Sequence, residues 1–213
     1  MTSGTAASNG TRKAENDAIA AFARRETAAR DLVDRAADIA DTAFAMASRF
    51  RLGGKLLVFG VGTASTDAQH VAVEFVHPVI VGKRALPAVS LTADAATVTA
   101  IAASAGMGKI FEHQVRQLAA PADIALGIGR SPSVVGGLGA ARELGLLTVA
   151  LAGAAGAADG TVIPGEPAAA HVLAVRSADP RIVKEIHVTT YHLLWELVHV
   201  FLEQPLAEGR GAR

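Results

Sequence analysis

Cysteine is absent from the 213 residues, which excludes disulfides and thiolate metal sites. Aromatic residues are scarce, 4% of a chain that is 51% apolar. The core must therefore be filled by Ala, Val, Leu and Ile, a composition that suits Ala-rich helices lying close on a sheet. An excess of one charge is missing too. The 20 Lys and Arg balance 20 Asp and Glu, so no net basic field draws the chain to nucleic acid or anionic lipid. The longest largely apolar stretch, residues 146–158, is shorter than a bilayer span and carries Gly153 and Gly156. The polar start Met1-Thr-Ser-Gly-Thr lacks the basic-then-apolar order of a signal peptide. These absences lead to the expectation of a cytoplasmic protein without membrane or nucleic-acid partners. Its length suits one domain with a sizeable core.

What is present reads as an alternation of strands and helices. Residues 1–13, small and polar, are expected to be a disordered tail. Glu15 to Phe50 has a helical pattern, with Leu32, Ala36, Ile39, Ala43, Ala47 and Phe50 at three- and four-residue steps; Gly53-Gly54 ends it. Short apolar runs at Lys55–Gly60, Leu86–Leu91, Ile124–Ile128, Leu147–Leu151 and His171–Val175 read as buried parallel strands. Helical stretches fall between them at Asp67–Val76, Ala95–Ser104, Ile110–Leu118 and Ser133–Leu144, and a last one runs from Pro180 to Leu202. Gly153–Gly165 reads as a surface loop, and residues 207–213 as a flexible tail. The alternation predicts an α/β three-layer sandwich, a five-stranded parallel sheet with helices on both faces, over residues 14–206 with an N-terminal helical extension. Ligands in such folds sit outside the carboxyl ends of the strands.

Four segments near those ends carry candidate chemistry. In Gly60-Val-Gly-Thr-Ala-Ser-Thr66, glycines close a strand and hydroxyl residues open a helix. This suits an anion held by backbone N–H groups and by Thr63, Ser65 and Thr66, or equally a tight capped turn. His70 and Glu74, at i and i+4, share a helical face, as a metal site, a proton-transfer pair or a plain surface pair would require. Arg130, Ser131 and Ser133 follow the third strand, where a guanidinium fork can grip phosphate or a serine can cap a helix. The last helix carries Lys184, His187, His192 and His199 on an apolar background, an unusual load of ionisable groups for a buried helix. A satisfied core histidine explains His199 more readily than His192.

Together these segments resemble the sugar isomerase (SIS) domain, and within it the phosphoheptose isomerases. That family's first loop reads Gly-Asn-Gly-Gly-Ser-Ala-x-Asp-Ala-Gln-His followed by Ala-x-Glu-Phe. Here Gly60, Gly62, Asp67, Ala68, Gln69, His70, Ala72, Glu74 and Phe75 match without a gap. Ala85–Asp94 fits the second strand and its following acid, Ile110–Val115 the next helix, and Glu185, His187 and His192 the last helix. The likeness runs from about Glu15 to Leu202.

The resemblance implies a flavodoxin-like SIS fold and a phosphosugar aldose–ketose isomerase working through an enediol, with sedoheptulose 7-phosphate as the expected substrate. It assigns Glu74 and His192 as acid/base groups and places Asp94 and Lys184 near substrate. It also implies a homotetramer with sites at subunit contacts, and a zinc ion among His70, Glu74, His192 and a glutamine. The departures are specific. Val61 replaces Asn, Thr63-Ala64 replaces Gly-Ser, and Gly129–Ser133 stands for a longer Ser-Thr-Ser-Gly-Asn-Ser loop. Lys184 holds the glutamine's place, and an ammonium cannot ligate zinc. The alternative is a non-catalytic sugar-phosphate-binding or assembly protein on the same fold.

Overall fold

The structure is a computed structural model that describes residues 3–153 and 169–204. Two helices come first, α1 (Ser3–Asp34) and α2 (Ala36–Arg51). Then follow β1 (Leu56–Gly60), α3 (Ala64–Val76), β2 (Ala88–Ser90), α4 (Ala95–Ala105), a short 3-10 turn (Met107–Lys109), α5 (Ile110–Leu118), β3 (Ile124–Ile128), α6 (Pro132–Glu143), β4 (Leu147–Gly153), β5 (His171–Val175) and α7 (Pro180–Glu203). The five strands form one parallel sheet in the order β2-β1-β3-β4-β5. Parallel strands need crossover helices, and these cover both faces, as the alternating pattern predicts.

Successive strand residues point to opposite faces, so each strand feeds two cores. Leu56, Val58, Leu126 and Val149 pack with Met46 and Phe50 of α2, Phe75 of α3 and Leu194 of α7. Leu57, Phe59 and Ala125 pack on the other face with Ile101 of α4, Phe111 of α5 and Val134 and Leu138 of α6. With both faces covered, β1 and β3 are buried at every position.

Two expectations need correction. Residues 3–13, read as a disordered tail, begin α1. Extending an existing helix adds one hydrogen bond per residue fixed, without a new nucleation cost. The single helix expected over Glu15–Phe50 is instead broken at Arg35, whose backbone leaves helical values (φ −107, ψ 13). There the Arg35 guanidinium donates to the Ala174 carbonyl of β5. The break lets α2 lie on the sheet while α1 follows α7, packing Ala28 among Val175, Ile182, Val183 and Ile186. The loop expected at Gly153–Gly165, beyond Gly153 itself, and the tail at 207–213 lie outside the described residues. Among the described residues no helix is long and apolar enough to cross a membrane.

Where β1 and β3 enter the sheet, Asp123 collects three donors. The Lys55 backbone N–H and ammonium and the Ala120 N–H all reach its carboxylate. Burial pushes the Asp123 carboxyl up, but the Lys55 hydrogen bonds and the Ala120 N–H outweigh it and hold the pKa below the ordinary value. A depressed folded-state pKa gives stability that is complete above the unfolded value of about 4 and is lost as pH falls through the folded value. Asp123→Ala should therefore lower the unfolding free energy by about 1–3 kcal/mol at pH 7. In urea titrations the gap to wild type should narrow as the pH is taken below about 4.

Candidate active site

The sheet order creates a switch point. From β1 the chain crosses through α3 to β2 on one side, and later returns to β3 on the other. The loops leaving β1 and β3 therefore open in opposite directions from neighbouring strand ends, which is where open α/β sheets bind ligands. A cleft of about 170 Å3 lies there, walled by Thr63, Asp67, Arg130, Ser131, Lys184 and His187. Local sequence explains its shape. A Cβ at Gly60 would stand 2.8 Å from Ala64 Cβ, so only glycine permits the tight turn into α3. Gly129 has φ +94, a conformation side chains disfavour, and it turns the β3 loop across the cleft.

The two helices beside the cleft are joined by polar contacts. On α3, Asp67, His70 and Glu74 form one stripe; on α7, Lys184, Tyr191, His192 and Trp195 face it. The Lys184 ammonium lies 2.7 and 2.6 Å from the two Asp67 oxygens and also donates to Thr66 Oγ1 and the Thr63 carbonyl, both at 3.2 Å. Tyr191 Oη is 2.8 Å from His70 Nδ1. His70 Nε2 is 3.2 Å from Glu74 Oε1 and 3.5 Å from His192 Nε2. Trp195 Nε1 donates to the Glu74 carbonyl at 2.9 Å. Burial, reinforced by the charges of Asp67 and Glu74, pushes the Tyr191 hydroxyl pKa up. Asp179 caps α7, and its carboxyl is drawn down to about 2 by the Arg181 guanidinium and backbone N–H.

His70, Glu74 and His192, far apart in sequence, thus converge, with their ligand atoms all within 4.8 Å of one another. Tetrahedral zinc at bond lengths of about 2.0–2.1 Å sets ligand atoms roughly 3.3 Å apart, close to the 3.2 and 3.5 Å from His70 Nε2 to Glu74 and His192. Three protein ligands with an open position suit a catalytic zinc. Lys184, which the resemblance sets at the place of a glutamine ligand, is held on Asp67.

The expected anion residues divide. Thr63, Arg130 and Ser131 line the cleft. Ser65 and Thr66 lie in the first turn of α3, donating to the Gly62 and Thr63 carbonyls. Ser131 also caps α6. Ser133 is buried and donates to the Met107 carbonyl, away from the cleft. Asp94 is not in the cleft wall. It caps α4 through the Thr97 hydroxyl and N–H, which draw its pKa down. His199 is a core histidine between the Trp195 and Arg84 carbonyls. Sequence reasoning matched Asp67 to the motif without giving it a role, and gave none to Tyr191 or Trp195. The step of three from Asp67 to His70 was the one available sign, whereas the partners of Tyr191 and Trp195 lie 121 residues away.

Comparison with known proteins agrees with this architecture. The family model described as SIS domain matches residues 21–153. A phosphoheptose isomerase of Desulfovibrio desulfuricans is 37% identical over 198 residues, 90% of each chain. One from Solidesulfovibrio magneticus is 39% identical over 195 residues, 90% of this chain and 89% of the relative. The solved structure of phosphoheptose isomerase GmhA from Neisseria gonorrhoeae superposes with a TM-score of 0.74 at 26% identity, covering 86% of this chain and 98% of that one. A phosphoheptose isomerase from Francisella tularensis gives a TM-score of 0.74 at 28% identity, covering 86% and 96%.

The Asp67–Lys184 pair generates a stability prediction. Asp67 is 5% exposed, so Lys184→Met strands a buried carboxylate. The variant should lose about 1–3 kcal/mol in urea unfolding, limited by the partial exposure of Lys184. Adding Asp67→Asn should restore much of it, giving a favourable coupling in a double-mutant cycle.

Proposed function

Because the chain belongs to the SIS domain family, we propose that it is a phosphosugar aldose–ketose isomerase that acts on sedoheptulose 7-phosphate through an enediol. The observation that carries this reading is the meeting of Glu74 and His192 beside a cleft that suits an anion. The phosphate is held by Thr63, Arg130, Ser131 and the N–H groups opening α3 and α6, where helix dipoles favour negative charge. The sugar then extends along α3 toward Glu74.

Glu74 is the carbon base. It removes a proton from C1 of the ketose, the C–H electrons form the C1=C2 bond, and the C2 oxygen gains a proton to give the enediol. The C1 hydroxyl proton then leaves, the C1 carbonyl forms, and Glu74 returns its proton to C2. His192 moves the proton between the two oxygens, a task suited to an imidazole, which can both give and take a proton. His70 at Glu74 Oε1 leaves the second carboxylate oxygen for the carbon proton. If zinc is bound, His70, Glu74 and His192 hold it, and it supplies Lewis-acid polarisation of the carbonyl.

The working assembly is a homotetramer. Exposed Ile19, Phe22 and Val33 on α1 and the run Val79-Ile80-Val81 after α3 supply apolar surface for subunit contacts.

Solvent deuterium entering the sugar tests the chemistry. Wild type should exchange it with sedoheptulose 7-phosphate, and Glu74→Gln should abolish exchange while keeping substrate binding. Binding by both proteins with no exchange by either, over heptose, hexose and pentose phosphates, would establish the non-catalytic binding protein instead.

Arg130 gives a separate prediction. Arg130→Ala should weaken phosphosugar binding by about 1–3 kcal/mol, the loss of a charge-assisted hydrogen bond, by calorimetry.

A further inference from the structure

We propose that the Tyr191 hydroxyl holds His70 as the Nε2–H tautomer, making His70 a donor to Glu74 and opposing zinc at that nitrogen. Tyr191 is 2% exposed, and among the described residues its hydroxyl has one hydrogen-bond partner, His70 Nδ1 at 2.8 Å. A buried O–H left without an acceptor is costly, so the hydroxyl donates and Nδ1 accepts. A neutral imidazole with a bare Nδ1 carries its proton on Nε2. That nitrogen lies 3.2 Å from Glu74 Oε1, so the same tautomer gives the carboxylate a donor.

The opposite tautomer loses at both ends. Nδ1–H would face the Tyr191 oxygen and leave the phenolic proton without an acceptor. The bare Nε2 would face the Glu74 carboxylate, lone pair against lone pair. Metal ligation through Nε2 needs that opposite tautomer, with Nδ1–H given to a second group. Two features of this chain therefore stand against a tightly held zinc. Lys184, at the position the resemblance gives to a fourth ligand, is engaged by Asp67, and Tyr191 selects the other tautomer of His70. Tyr191 acts as a positioning residue. Through His70 it fixes one oxygen of Glu74 and leaves the other for the reacting carbon. This last step rests on the isomerase reading, whereas the tautomer does not.

The test uses the full chain, metal-free, with 15N-labelled histidine at about pH 8, where an ordinary imidazole is neutral. The His70 signals are assigned by their loss in His70→Asn. Two-bond correlations between ring nitrogens and carbon-bound protons then identify the tautomer directly, without substrate. Wild type should show Nε2–H, and Tyr191→Phe, which removes only the hydroxyl, should shift His70 toward a mixture. With zinc alone as the probe in chelator competition, Tyr191→Phe should bind about tenfold more tightly than wild type, the size of one hydrogen bond no longer sacrificed. An Nδ1–H tautomer in wild type, or zinc affinity in Tyr191→Phe equal to or below that of wild type, would overturn the proposal. Neither result depends on deuterium exchange, so failure here and failure of the isomerase reading are separable.

Discussion

The candidate site depends on the register between α3 and α7. Three contacts set it: Lys184 on Asp67, Tyr191 on His70, and the Trp195 indole on the Glu74 carbonyl. They run in the same order along both helices, so the helices lie parallel. A slip of one residue would rotate α7 by about 100° and dismiss all three. Packing beneath enforces the register, with Val71, Phe75, Leu194 and Val198 all buried. Contacts outside the stripe hold α7 from other directions. Arg25 grips Glu185 with two hydrogen bonds, and Arg51 donates to the Phe201 and Gln204 carbonyls. His192 itself is exposed, and its position comes from the helix that carries it.

The same register explains how Lys184 can stand in a glutamine's place. A lysine set against histidines and a metal would add repulsion. Here the ammonium is turned to the buried Asp67 carboxylate and to the loop at Thr63 and Thr66. The cation offsets the desolvation of Asp67 and ties the anion loop to α7. Lys184 therefore acts as a clamp between the two helices. Arg130, from the opposite wall, is then the cationic fork of the cleft.

Much of this was legible in the sequence, for physical reasons. Buried parallel strands are short apolar runs stopped by glycine, and β3 and β5 have the limits that the apolar runs set. His70 and Glu74 were visible because helical spacing is local. Their union with His192 came through the resemblance, since no local rule pairs residues on separate helices. Local rules misled where tertiary contacts decide. The hydrophobic period continues through Arg35, but a hydrogen bond to a distant strand breaks the helix there. Ser133 has the sequence context of a phosphate ligand, yet its hydroxyl faces the 3-10 turn before α5. Tyr191 drew no role from the sequence, because the hydroxyl's partner sits on another helix.

The geometry also bears on the size of the proposed substrate. The anion end of the cleft is at the start of α3, and the base is seven residues after Asp67. That is about 10 Å of helix rise. Asp67 and Lys184, between that end and Glu74 along the stripe, are bonded to each other. On the proposed reading, a sugar phosphate anchored at the loop must carry its carbonyl past this pair to reach Glu74. The ion pair therefore acts as a spacer as well as a clamp. By occupying the near end of the stripe, it leaves Glu74 and its His70 partner as the acid/base groups of the far end.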